Sequence, residues 1–208
     1  MYFQLFYIIL NNYLTKTYKV MKKIILILST VFFFFNQTNA QESKAYLGIS
    51  VGVAIPSGDI SDDVNTGIDL GFINFGYRFS ENWGATLNLV SSGHTVDSDI
   101  FDSTLGVAYF GLGPMYTANL SDNLSWDIKP QIALGTKFVQ DIEGTKFNGS
   151  GNGFIIGNSL VFGSNKGFKF SVNLDYLMAK LTEREGIDVD EDNSFNKLSL
   201  GVGLRYNF

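Results

Sequence analysis

The last eleven residues, Leu198 to Phe208, alternate without a break. Leu198, Leu200, Val202, Leu204, Tyr206 and Phe208 fall on one side of a strand. Ser199, Gly201, Gly203, Arg205 and Asn207 fall on the other. One face is wholly apolar and the other small or polar. A soluble protein seldom ends on a bare Phe at the tip of so hydrophobic a face. A lipid-facing strand does so naturally, with aliphatics at mid-depth and aromatics at the interface.

Upstream the same alternation predicts seven more strands. They are Tyr46–Ile55, Gly67–Phe79, Trp83–Ser91, Leu105–Leu120, Leu124–Val139, Gly153–Phe162 and Phe168–Leu181. Ser80-Glu-Asn82, Ser121-Asp-Asn123 and Gly163–Gly167 read as short turns. Pro56–Thr66, Gly93–Ser103, Asp141–Asn152 and Thr182–Ser194 read as long loops. Long and short connections alternate, as in membrane barrels with short periplasmic turns and long extracellular loops. Residues 41–208 leave about 21 residues for each strand and its connection, which excludes a sixteen-stranded porin.

Ahead of the strands, Met21-Lys-Lys begins a basic stretch. An apolar core, Ile24–Phe35, follows, and then Asn-Gln-Thr-Asn-Ala40. That order predicts a cleavable secretory signal over 21–40, with Gln41 as the mature N-terminus. Residues 1–20 read as an upstream extension. Lys16, Lys19, Lys22 and Lys23 lie in this leader; without them eleven basic residues face twenty acidic ones, a net charge of −9. Such a chain is no nucleic-acid binder. With no cysteine it has no disulfide, thiolate metal site or lipidated cysteine. Charged residues are 17%, aromatics 15%, and there are 22 Gly. That mix suits an apolar outside around a tightly filled inside.

The C-terminal strand (Leu200, Val202, Leu204, Tyr206, Phe208) and the turn pattern give residues 41–208 a resemblance to eight-stranded outer-membrane β-barrels of the OmpX and OmpA transmembrane type. The resemblance implies an all-β, antiparallel up-and-down barrel, monomeric, in outer-membrane lipid. It also implies recognition by the barrel-assembly machinery through the strand ending at Phe208. OmpA-type proteins carry a peptidoglycan-binding domain after the barrel. This sequence ends at Phe208, so that anchoring role is not implied.

Strand parity turns Arg78, Asp127, Lys129, Lys169, Asp175 and Arg205 inward, with Lys137 and Lys197 near the loop rim. An eight-stranded interior is just wide enough for side chains to fill, so these charges read as a polar plug. Tyr77, Phe79, Trp83, Tyr116, Trp126, Phe162, Phe168, Tyr206 and Phe208 gather at the short-turn end as an interfacial girdle. Pro114 and Pro130 are each eight residues from Asp122, which predicts that they face each other across strands 4 and 5. The less costly arrangement makes them a non-hydrogen-bonded pair, with their missing donors turned to strands 3 and 6.

No cofactor is called for. Asp188-x-Asp190-x-Asp192 begins like a calcium loop, but Asn193 replaces the turn glycine and Ser199 the closing Glu. Gly149-Ser-Gly-Asn-Gly153 reads as a loop cluster with no helix after it, hence no phosphate cradle. His94, the single histidine, falls in a loop and reads as solvated. The remaining loop residues are strongly acidic: Asp59, Asp62, Asp63, Asp97, Asp99, Asp102, Asp141, Glu143, Glu183, Glu185, Asp190, Glu191 and Asp192. The expectation is a non-enzymatic barrel with a plugged lumen and a structural or surface-interaction role. Two rivals stay open. A lipid-modifying enzyme needs a nucleophile–His–acid cluster at the outer rim. A narrow channel needs a water path past Arg78, Asp127 and Lys129.

Overall fold

A computed structural model describes residues 44–58, 63–97, 103–164, 166–184, 187–188 and 194–208. The leader, Gln41, and Asp59, Asp62, Asp99, Asp102, Glu185, Asp190, Glu191 and Asp192 lie outside the described residues. So do the side chain of Asp188 and the rest of the calcium-like stretch.

Among the described residues nine strands are formed: β1 Ala45–Ser57, β2 Gly67–Arg78, β3 Trp83–Val96, β4 Ser103–Ser121, β5 Leu124–Ile142, β6 Thr145–Phe162, β7 Gly167–Arg184, β8 Ile187–Asp188 and β9 Ser194–Asn207. β8 is a two-residue pairing on the end of β7. The other eight pair antiparallel with their sequence neighbours, and β9 pairs with both β7 and β1, so the sheet closes on itself. Closure leaves no edge strand, the condition for backbone to cross hydrocarbon. The outward residues Leu47, Ile49, Val51 and Val53 on β1 and Leu198, Leu200, Val202 and Leu204 on β9 are exposed, while their inward neighbours are small or polar. This is the reverse of a water-soluble barrel and places lipid outside.

The third expected long loop does not exist. β5 runs to Ile142 and β6 starts at Thr145, joined by Glu143-Gly144 alone. Both turn residues have positive φ, 49° and 85°, and Gly144 N donates to Asp141 Oδ1 at 2.9 Å. Positive φ at both central positions is the type I′ signature, whose twist matches the flanking strands. The glycine cluster 149–153 is therefore strand. A Cβ on Gly151 would fall 1.9 Å from Lys180 O, so glycine permits close approach of β6 and β7 there.

Two bulges invert the expected parity. In β2, Gly71 and Ile73 pair regularly with Val90 and Leu89 while Phe72 is extra. Phe72 and Ile73 are both exposed, and Asp69 turns inward. In β5, Leu134 pairs with Phe110 and Lys137 with Ala108, leaving one residue over near Gly135, whose φ is 58°. Beyond it Thr136 and Phe138 are buried inside, and Lys137, expected inside, points out. One extra residue exchanges the two faces of everything after it.

Pro114 and Pro130 do face each other. Leu112 pairs with Ile132 and Tyr116 with Ile128, which fixes the register between them. The hydrogen-bonding expectation is corrected, however. Residues 113–115 keep their pairing with β3 and 129–131 theirs with β6, while the β4–β5 ladder is interrupted over 113–115. The missing donors therefore point at each other, at a position where the pair would exchange both bonds. Pro130 O lies so close to Gly113 that a Cβ there would be 2.0 Å away, and only a Cα–H contact fits. Replacing both prolines by alanine is expected to close this gap. Hydrogen exchange on the refolded variant should find slow exchange at both new amides. Free exchange at 114 and 130 would show that the gap is not caused by the absent N–H groups.

Candidate functional site

Among the described residues, charged side chains converge in the lumen. Its layer at the short-turn end joins opposite walls. Arg205 Nη1 on β9 donates to Asp127 Oδ2 on β5 at 2.5 Å, and Thr117 Oγ1 on β4 donates to Asp127 Oδ1 at 2.8 Å. The Arg205 guanidinium also stacks 4.2 Å from the centre of the Tyr46 ring. Lys169 pairs in register with Arg205, and Arg78 lines the same mouth.

Higher up, Lys129 Nζ on β5 donates to Ser159 Oγ on β6 at 2.7 Å. Asn88 donates to Gln131 Oε1 at 3.2 Å. Asp175 lies beside Lys129: a Cβ on Gly157 would stand 2.7 Å from Asp175 Oδ1 and 3.3 Å from Lys129 Cε. Lys197, expected near the rim, is instead completely buried. It is ion-paired with Asp69 of β2, 5.2 Å from the centre of the Tyr109 ring. Asp69 was missed because the Phe72 bulge hides its inward parity. The signal was the adjacent pair Phe72-Ile73, two apolar residues where alternation allows one.

The upper lumen is mostly hydrocarbon. Val90, Leu105, Val107, Tyr109, Ala133, Phe138, Ile155, Leu177, Ala179 and Phe195 form one buried cluster. Phe138 and Phe195 meet edge to face at 5.9 Å. The inside is thus two layers, ion-paired below and hydrocarbon above, with the Lys197–Asp69 pair and Tyr109 between them.

His94 is not a solvated loop residue. It lies in β3 on the inward face, 3% exposed, edge-on to Phe195 at 5.8 Å. Nδ1 is 2.9 Å from Asn65 O, and Nε2 is 3.1 Å from Ser92 Oγ. A peptide carbonyl can only accept, so Nδ1 carries the proton and Nε2 accepts from the Ser92 hydroxyl. The polarity is that of a nucleophile and its base. But the orienting group is a peptide carbonyl, not a carboxylate, and Ser92 is also 3% exposed. The pair ties residue 65 of the first loop to the barrel wall. Among the described residues no cluster of three or more His, Asp or Glu is arranged to hold a metal ion.

The aromatics at the short-turn end face outward. Tyr77, Phe79, Trp83, Trp126, Phe162, Phe168 and Tyr206 are exposed, and Tyr116 and Phe208 are partly covered. Trp83 and Tyr116 meet edge to face at 5.1 Å; Tyr206 meets Phe168 at 5.1 Å and Phe208 at 5.3 Å.

A family model described as "Outer membrane protein beta-barrel domain" matches residues 24–208. Among solved structures, neisserial surface protein A aligns with a TM-score of 0.58 at 12% identity, over 81% of this chain and 100% of that one. OprG from Pseudomonas aeruginosa gives 0.49 at 13% identity, over 81% and 99%. Ail of Yersinia pestis gives 0.47 at 16% identity, over 80% and 100%. At such identities the likeness concerns the fold alone. No curated protein matches the sequence.

Proposed function

The chain belongs to the outer membrane protein beta-barrel domain family, and from that premise we propose that it is a non-enzymatic barrel, closed by its own side chains, whose extracellular end is a contact surface. It resides in the outer membrane, with lipid against its apolar face. What supports closure is the filling of the interior. Phe195, Lys197, Leu177 and Val107 are at most 1% exposed in the upper half, and the Asp127–Arg205 pair crosses the lower half. The aromatic band anchors the periplasmic interface, β9 ending at Phe208 is offered to the assembly machinery, and the barrel works as a monomer. Residues 21–40 serve as the secretory signal. At the other end Asp63, Asp97, Asp141, Glu143 and Glu183 stand among Lys137, Lys146, Lys180 and Arg184, and the acidic surplus of the loop sequences favours basic or cation-bridged partners.

Planar-bilayer recording on refolded residues 41–208 tests closure. The expected result is a baseline without unitary steps. Reproducible steps that respond to Asp127→Ala or Lys129→Ala would favour the narrow-channel reading.

A further inference from the structure

At the end of the barrel opposite Phe208 the hydrocarbon layer borders a half-open cavity of about 180 Å³. Leu105 of β4 and Phe138 of β5, both buried, form its floor. Phe147 of β6 and Leu181 of β7 wall it, and Gln140 and Arg184 bring polar groups to it. Gly149 is the cross-strand partner of Phe138 on one side and of Arg184 on the other. A Cβ there would stand 2.6 Å from Leu181 Cδ1, so glycine lets Leu181 line the cavity beside Phe138.

The polar edge has one sign. The Arg184 guanidinium stands 5.8 Å from the centre of the Phe147 ring, a cation–π contact that holds it over the cavity wall. Gln140 Nε2 donates to Ser103 Oγ at 3.5 Å and keeps a second N–H. The adjacent carboxylate, Glu183, belongs to the opposite face of β7, where it accepts from Ser150 Oγ at 3.2 Å. Among the described residues no carboxylate lines the cavity. An apolar body with a few convergent donors is the make-up of a small-molecule site. A cavity of about 150 Å³ lined by Leu, Ile and Phe holds one benzene ring, and this one is slightly larger. We propose that the cavity binds a small organic monocarboxylate with a single aromatic ring. The ring lies against Phe138, Leu105 and Leu181, and the carboxylate takes a forked pair of hydrogen bonds from Arg184. The site lies above the sealed layer, so it stands apart from the question of conduction.

Fluorine NMR of 4-fluorophenylacetate with the refolded barrel in lipid nanodiscs tests this. The probe line should broaden saturably. Phenylacetate should compete, whereas acetate, which lacks the ring, and phenylacetamide, which lacks the charge, should compete about tenfold less well. Arg184→Gln, at an exposed position, should weaken binding by about the same factor. Leu181→Trp should abolish it by filling the space, with circular dichroism checking that both variants remain folded. On the unchanged protein, nuclear Overhauser contacts should join the probe ring to the methyls of Leu105 and Leu181, a readout that needs no variant. Broadening that does not saturate, or that either folded variant leaves unchanged, overturns the proposal. So does equal competition by phenylacetamide, or ring contacts confined to the lipid-facing methyls of Leu200 and Val202, which would mark partition into lipid.

Discussion

Asp69→Ala is expected to destabilise the barrel by about 3–5 kcal/mol, the cost of stranding one member of a buried ion pair. Its partner Lys197 is completely buried; with Asp69 gone it keeps the Tyr109 ring and the more distant charge of Asp175. Removing the carboxylate leaves an ammonium at the foot of the hydrocarbon layer around Phe195 and Leu177. The double variant Asp69→Ala with Lys197→Met should recover most of the loss, because methionine fills the space without a charge. Urea unfolding midpoints in lipid vesicles give both values and hence the coupling. A single variant as stable as the wild type would mean that Lys197 finds compensation elsewhere.

Val202→Arg should cost about 2–4 kcal/mol, as expected for arginine at the bilayer midplane of a barrel. Val202 is 59% exposed and lies level with Val51 and Val172 on its two neighbours. An aliphatic belt at that height puts the site deep in hydrocarbon. Val202→Leu keeps an aliphatic side chain toward lipid and should not lower the unfolding midpoint. Equal stability of Val202→Arg and wild type in vesicles would reverse the inside–outside assignment of β9.

What the sequence revealed tracks the regularity of each strand. On β9 and the lower parts of β5 and β7 alternation is unbroken, and the inward positions of Arg205, Asp127, Lys129, Lys169 and Asp175 follow from counting by two. Asp69, Lys137 and Phe138 lie beyond bulges, where the count is off by one and each residue is assigned to the wrong face. The turn at Glu143-Gly144 was hidden by glycines that read as loop composition but serve the close approach of β6 to β7. His94 was misplaced because β3 runs five residues further than expected, to Val96. The proline pair was found in register, yet its hydrogen-bonding sense was not. Pattern gives facing, but which way an N–H points depends on where the ladder begins.

The two-residue turn at Glu143-Gly144 decides what an external partner meets. β5 has 19 residues and β6 has 18. A membrane strand needs about 9–11, so roughly eight residues of each stand clear of hydrocarbon as a paired ribbon. A disordered loop of that size would lose about 1–2 kcal/mol of backbone entropy for every residue fixed on docking. The ribbon has already lost that freedom during folding. A partner that recognises Lys146, Phe147 or Glu143 therefore docks on a surface of fixed shape, and its affinity rests on complementarity with no ordering to offset.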